Sequence, residues 1–299
     1  MCIRDRLLRT LILEENILKI SGNTKVYMVI GNPIHHSKSP NMHNAAFSKL
    51  GINACYVPLA PNENEIEHIC DLVRSNVISG SNVTIPYKEE VIKYIDVLTD
   101  EAKLIGSVNT LYSIENKLHG HNTDGLGFSR SLFIDNNFEP AEKKAIVLGA
   151  GGASKAICSK LCSNKISSLL IFDIDNEKAF ELKEHLESFN FKTDIKIISQ
   201  NEVDQISKES DLIVNCTPIG MKESDPELIN SDSFKKTQFV YDLIYSPSKT
   251  KLLMSAETKG AKIINGLDML AYQGAESFSL WEKVDPPYEI MSQELRYGK

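Results

Sequence analysis

The segment Asn82-Val83-Thr84-Ile85-Pro86-Tyr87-Lys88 offers an amide, a hydroxyl and one ammonium group within a single short run. Such groups can grip a small hydroxylated molecule and move a proton. The run is apolar enough to be semi-buried. Pro86 ends a regular strand there, because it lacks a backbone donor and fixes φ. A plainer use of the same residues is a strand followed by a solvated helix start at Lys88-Glu89-Glu90.

Two further segments carry similar groups. Gly31-Asn32-Pro33-Ile34-His35-His36-Ser37-Lys38-Ser39-Pro40 follows the apolar run Val26–Ile30. Ser39-Pro40 reads as a helix start with proline at the first helical position. Hydroxyls at Ser37 and Ser39, beside free helix N–H groups, suit a carboxylate, although a polar loop with an ordinary cap has the same composition. Gly106-Ser107-Val108-Asn109-Thr110 and His121-Asn122-Thr123-Asp124-Gly125-Leu126-Gly127 each place Asn-Thr after a turn or strand. The Asp124 carboxylate, before a glycine, either lies close to a ligand or caps the next helix.

The run Lys144–Leu148 leads into Gly149-Ala150-Gly151-Gly152-Ala153-Ser154 and a small-residue helix. This strand–turn–helix order is the dinucleotide-binding pattern. Gly149 allows the tight turn, Gly151 lets backbone approach a pyrophosphate, and Ser154 stands where a third glycine often packs helix on strand. A second apolar strand, Ser168–Phe172, ends at Asp173, near the spacing of an acid that holds an adenine ribose.

These motifs need rigid elements to hold them. Strand and helix patterns alternate from Lys25 to about Asp124, and again from Gly125 through Gly149 to about Asn265. The expected fold class is therefore α/β, with the site in the cleft between two units.

In this order, the motifs resemble the shikimate dehydrogenase (shikimate/quinate dehydrogenase) family, from about Ile20 to about Tyr288. Asn215-Cys216-Thr217-Pro218-Ile219-Gly220-Met221, Tyr241-Asp242-Leu243-Ile244-Tyr245, and Gly266-Leu267-Asp268-Met269 through Gln273 fit as well. The resemblance implies an N-terminal α/β substrate domain, residues 20–124 with 267–299, and a Rossmann-type dinucleotide domain, residues 125–266. The last helices should return to the first unit. It implies reversible reduction of 3-dehydroshikimate to shikimate by NAD(P)H, with Lys88 as proton donor and Asp124 its partner. An adjacent carboxylate favours the charged ammonium. Ser37 and Ser39 would hold the substrate carboxylate. Asn82, Thr84, Asn109 and Gln273 would hold ring hydroxyls, and Tyr245 would line the same pocket. Gly149, Gly151, Gly152, Ala153 and Ser154 would cradle pyrophosphate, with Thr217 and Met221 near the nicotinamide and Gly266 in the cofactor set.

The chain departs from the family at one place. NADP-using members commonly carry Asn-Arg-Thr after the second strand of the nucleotide domain, and here Asp173-Ile174-Asp175 stands instead. The arginine for a 2′-phosphate is missing and two acids take its surroundings, so the sequence favours NAD, with NADP the alternative and Lys178 a partial rescue. A quinate/shikimate dehydrogenase remains the nearest rival. A nucleotide-sensing protein without turnover is the rival from another class, although it would have no need of the Lys88–Asp124 pair.

Composition sets outer bounds. The 299 residues suffice for two domains with sizeable cores. The net charge of −7, with no basic cluster, argues against nucleic acid. No run of eighteen apolar residues suggests a membrane span. Six scattered cysteines suit a reducing cytoplasm and show no zinc-type C-x-x-C pair, so no metal is expected; Cys158 and Cys162 read as small core residues. A monomer or homodimer is expected, and His36, His43 and His121 read as partly exposed polar side chains. Met1–Arg6 looks like translated adapter. The first nineteen residues lack a secretory pattern, and Glu14-Glu15 opposes an organelle-targeting one, so they are set apart as a non-native or disordered extension.

Overall fold

The computed structural model describes residues 20–298. The expected N-terminal extension and Lys299 lie outside the described residues.

Two sheets form the frame. The first contains β1 (Lys25–Ile30), β2 (Ala54–Leu59), β3 (Gly80–Val83), β4 (Val97–Leu98), β5 (Thr110–Ile114) and β6 (Lys117–His121), in the order β2-β1-β3-β5-β6-β4. β1 runs parallel to β2 and β3, while β5 is antiparallel to β3 and β6. The alternation of β1 explains why its run is apolar throughout. Tyr27 and Val29 enter one core with Met42, Phe47, Phe278 and Leu295, whereas Met28 and Ile30 enter another with Ile66, Val73 and Val91. A strand covered on both faces has no polar side to show.

The second sheet contains β7 (Lys144–Leu148), β8 (Ser168–Phe172), β9 (Asp194–Ile197), β10 (Leu212–Asn215), β11 (Phe239–Asp242) and β12 (Lys262–Asn265). Its order is β12-β11-β10-β7-β8-β9, with every pairing parallel. This is the doubly wound 3-2-1-4-5-6 order, whose direction reverses between β7 and β10. β7 is split like β1: Ala145 and Val147 face one core, Ile146 and Leu148 the other.

The C-terminal helices Leu267–Glu282 and Tyr288–Tyr297 supply Ala271, Ala275, Phe278, Met291 and Leu295 to the core beside the first sheet. Helix Leu267–Glu282 packs closely on helix Asp124–Ser129. Gly127 permits the approach, since a Cβ there would stand 2.6 Å from the Met269 carbonyl. His43 differs from its expected exposure. It is fully buried, stacked on Tyr56 at 4.4 Å, and its desolvated ring is held neutral, with a pKa lowered to about 3. His36 is exposed and His121 half-buried. Among the described residues, no helix is long and apolar enough to cross a membrane.

Candidate active site

Lys88 and Asp124 meet although they lie on different elements. β3 ends at Val83, and after the turn through Pro86 the Lys88 carbonyl accepts from Val108 N at 2.8 Å. Asp124 opens the helix that follows β6. Its carboxylate does not cap that helix. Oδ2 accepts from Lys88 Nζ at 2.5 Å, and Oδ1 accepts from Asn109 Nδ2 at 3.0 Å. The backbone N–H of Asp124 donates to Asn122 Oδ1 at 2.9 Å, fixing where the helix starts. Lys88 and Asp124 side chains are only 14% and 9% exposed, so the pair is largely shielded from bulk water.

Asn109 is the hub beneath this pair. Besides Asp124, its Nδ2 donates to Thr123 Oγ1 at 2.8 Å and reaches Gln273 Oε1 at 3.2 Å. Its Oδ1 accepts from Thr123 N and from Thr110 Oγ1, both at 2.9 Å. Four sequence-selected residues, Lys88, Asp124, Asn109 and Gln273, thus form one connected set. Thr84 follows β3 and lies against Gly31, which opens the loop that carries Ser37 and leads into the helix at Ser39. Ser37 Oγ accepts from Ser39 N at 3.3 Å, just where helix Ser39–Leu50 begins. Like Asn109, Asn82 has its amide engaged inside the protein, by Tyr56, Asn109, Thr110 and Ser277. Tyr245 sits in the loop after β11, where burial pushes its phenol up.

The glycine turn lies next to this set. Gly149 has φ +99°, the conformation that glycine adopts without strain. A Cβ at Gly151 would meet open space, so bare backbone faces outward there. Helix Gly152–Ser163 follows, with Ser154 fully buried behind Ala153. Its N-terminal N–H groups and the open backbone fit a pyrophosphate. The helix is held against the first unit by Lys155–Glu89 at 2.6 Å and Lys160–Glu101 at 2.9 Å. The Lys88 stem passes 3.5 Å from a Cβ built on Gly152. Asp173 Oδ2 accepts from Ala150 N at 2.7 Å and its Oδ1 from Asp175 N at 2.9 Å, so this acid braces the turn. Each oxygen keeps a lone pair for a ligand. Thr217 and Met221 lie in the loop after β10, with Thr217 Oγ1 donating to Asn215 Oδ1 at 2.7 Å. Gly266 is pressed onto the Leu243 carbonyl, which gives this glycine a packing reason of its own.

Sequence reading missed three residues that organise the site. Thr123 and Asn122 brace Asn109 and Asp124. Both stood in a selected motif, and a polar pair directly after a strand was the available signal. The third is Asp242, buried at the end of β11, whose carboxylate accepts from Asn215 Nδ2 at 3.0 Å, Ile244 N at 3.0 Å and Thr250 Oγ1 at 2.6 Å. It ties together the two loops that carry Thr217 and Tyr245. Burial raises its pKa from 3.8 to about 6, against the pull of those donors. In that window the folded chain binds this proton more tightly than the unfolded chain, so stability falls as pH rises. By neutral pH the loss is about 3 kcal/mol. Asp242→Asn removes this dependence. Relative to the parent, the variant should gain about 3 kcal/mol of unfolding free energy between about pH 4 and pH 7.5. Denaturant titration at each pH measures it, and a pH-independent difference refutes the burial account.

Residues 29–111 match the shikimate dehydrogenase substrate binding domain, residues 134–242 the shikimate / quinate 5-dehydrogenase family, and residues 266–296 the shikimate 5'-dehydrogenase C-terminal domain. A shikimate dehydrogenase (NADP(+)) of Pyrococcus furiosus is 41% identical over 272 residues, covering 91% of this chain and 95% of the relative. The crystal structure of shikimate dehydrogenase from Aquifex aeolicus aligns with TM-score 0.84 at 37% identity, over 93% of this chain and all of that one. That of shikimate 5-dehydrogenase from Listeria monocytogenes, in complex with shikimate and NAD, aligns with TM-score 0.84 at 32% identity, over 93% of this chain and 98% of that one. On these grounds, and with both sheets in place, the chain belongs to the shikimate dehydrogenase family.

Proposed function

We propose that this chain catalyses the reversible NAD(P)H-dependent reduction of 3-dehydroshikimate to shikimate. The observation that carries the reading is the shielded Lys88–Asp124 contact at 2.5 Å, set beside the glycine turn that would hold the dinucleotide. When bound, the reduced nicotinamide supplies a hydride to the ring carbonyl carbon. Lys88 Nζ delivers a proton to the carbonyl oxygen, and in the reverse direction it accepts the hydroxyl proton. Asp124 Oδ2 accepts from the ammonium and aims it, while Asn109 holds the other carboxylate oxygen. Proton transfer of this kind contributes about 10²–10⁴ in rate, with the remainder coming from holding the two reactants in register.

Substrate binding falls to the unit formed by residues 20–124 and 267–299, and dinucleotide binding to residues 125–266. Ser37 and Ser39 receive the carboxylate at the start of helix Ser39–Leu50, where helix N–H groups favour negative charge. Thr84, Asn109 and Gln273 face the ring hydroxyls, and Tyr245 closes the pocket. Gly149, Gly151, Gly152, Ala153 and Ser154 hold pyrophosphate, and Thr217, Met221 and Gly266 lie toward the nicotinamide. Shikimate is preferred to quinate. Quinate adds a hydroxyl on the carbon bearing the carboxylate, and Ser37 and Ser39 already serve that carboxylate. Leaving the extra hydroxyl unpaired costs about 1–3 kcal/mol, or roughly five- to 150-fold in kcat/KM. NAD is preferred to NADP because Asp173 and Asp175 flank Ile174 where an arginine would meet a 2′-phosphate.

Initial rates with shikimate and with quinate, each against NAD and NADP, test the reading. Oxidation of shikimate is the expected result. Dinucleotide binding without turnover of either substrate overturns it in favour of a nucleotide-sensing protein. Equal kcat/KM for quinate overturns the substrate preference.

A further inference from the structure

The Asn82 amide is bonded on both its oxygen and its nitrogen within the protein. It lies on β3, between β1 and β5, and is nearly fully buried. Its Nδ2 reaches the Asn109 carbonyl at 3.0 Å, Ser277 Oγ at 3.0 Å and Thr110 Oγ1 at 3.2 Å. Two hydrogens are therefore already committed. The Asn109 carbonyl only accepts, so the NH₂ group must face it, and Oδ1 must face Tyr56. The Tyr56 hydroxyl donates to that Oδ1 at 2.7 Å.

Tyr56 is itself held at every point. Its backbone exchanges hydrogen bonds with the Asn44 side chain at 2.8 and 2.9 Å. Its ring stacks on His43, whose two ring nitrogens have no hydrogen-bond partner and whose neutral form suits an aromatic stack. Asn44 and His43 both belong to helix Ser39–Leu50, the helix whose start carries Ser39. On the far side, Asn109 passes the constraint on to Asp124 Oδ1.

We propose that Tyr56 is a positioning residue for the Lys88–Asp124 pair, acting through Asn82 and Asn109. The hydroxyl locks the Asn82 amide, the amide holds the Asn109 peptide, and the Asn109 side chain then meets Asp124. In this reading Asn82 acts on Asn109 from within the protein. This rests on the reading of Lys88 and Asp124 as the proton-transfer pair.

Tyr56→Phe keeps the ring stack and deletes only the hydroxyl, leaving Asn82 Oδ1 buried without a donor. It should lower kcat for shikimate oxidation about five- to twenty-fold, a loss typical of one buried hydrogen bond, with KM for NAD within about twofold. A merely structural role would lower the melting temperature and the active fraction equally in any background, so the deciding measurement is a cycle with Asn109→Ala. In that background Tyr56→Phe should change kcat less than about twofold, because its route to Asp124 is already cut. The same five- to twenty-fold loss in both backgrounds overturns the proposal, as does full kcat in Tyr56→Phe alone. Ser277 also meets Thr110, Thr123 and the Gln273 carbonyl, so Tyr56→Phe, which touches Asn82 alone, is the deciding variant. If Asn82→Ala raises KM for shikimate while Tyr56→Phe is silent, Asn82 touches the ring and the proposal fails. Wild-type turnover in Lys88→Met would remove the pair itself, a failure separate from any result at Tyr56.

Discussion

Lys88→Met should lower turnover of shikimate by about 10²–10⁴ while leaving NAD affinity within about twofold. Methionine is the informative replacement. The Lys88 stem runs close to Gly152, where the dinucleotide helix begins, so alanine would remove packing as well as charge. The variant should also lose stability, because Asp124 is left as a shielded carboxylate with Asn109 as its remaining side-chain donor. Removing one member of a buried pair costs about 3–5 kcal/mol. Lys88→Met with Asp124→Asn takes away both charges and should recover much of that stability while recovering none of the rate. Chemical denaturation and steady-state rates on the single and double variants separate the two effects. Near-normal turnover in Lys88→Met sinks the proton-transfer assignment.

How far the sequence carried this site depends on how far apart its partners lie. Val26–Ile30 and Lys144–Leu148 are unbroken apolar runs because each strand is covered on both faces. That pattern, with the glycine turn after the second run, was enough to read two α/β units. Lys88, Asp124 and Asn109 stood out because each is a polar residue beside a strand end or turn. What the sequence hid was the direction in which each side chain spends its hydrogen bonds. Asn82 resembles a ligand-binding amide by type, yet its partners Tyr56 and Ser277 lie 26 and 195 residues away. Asp124 before Gly125 has the composition of a helix cap, and only the fold aims its carboxylate at Lys88 instead. His43 read as a partly exposed histidine because one polar residue on a helix gives no sign of the Tyr56 and Trp281 rings that enclose it. In each case the deciding contact is set by tertiary packing.

The nucleotide end of the site gives the second large effect: Ile174→Arg should move cofactor preference toward NADP by roughly 10–150-fold in the ratio of kcat/KM values. This range corresponds to the 1.5–3 kcal/mol of a charge-assisted hydrogen bond. Ile174 is 92% exposed, so a longer polar side chain replaces no packing. Asp173 and Asp175 are less free to change. Asp173 accepts two backbone N–H bonds, from Ala150 and Asp175. Asp175 caps helix Asn176–Glu187 by accepting from Glu177 N and Lys178 N. Lys178, the cation that the sequence offers to a phosphate, has its ammonium 3.5 Å from Asp175. A 2′-phosphate would therefore enter a corner with two carboxylates and a cation already facing one of them. Asp173→Asn can keep only one of the two backbone bonds, so adding it to Ile174→Arg should slow both cofactors by loosening the glycine turn while raising the NADP share further. The ratio, not the absolute rate, is the quantity to compare. The relatives named for NADP(+) make the unmutated protein the critical control. An NADP preference there defeats the assignment of Asp173 and Asp175 as barriers to the phosphate, and an unchanged ratio in Ile174→Arg defeats the claim that position 174 is where it would be read.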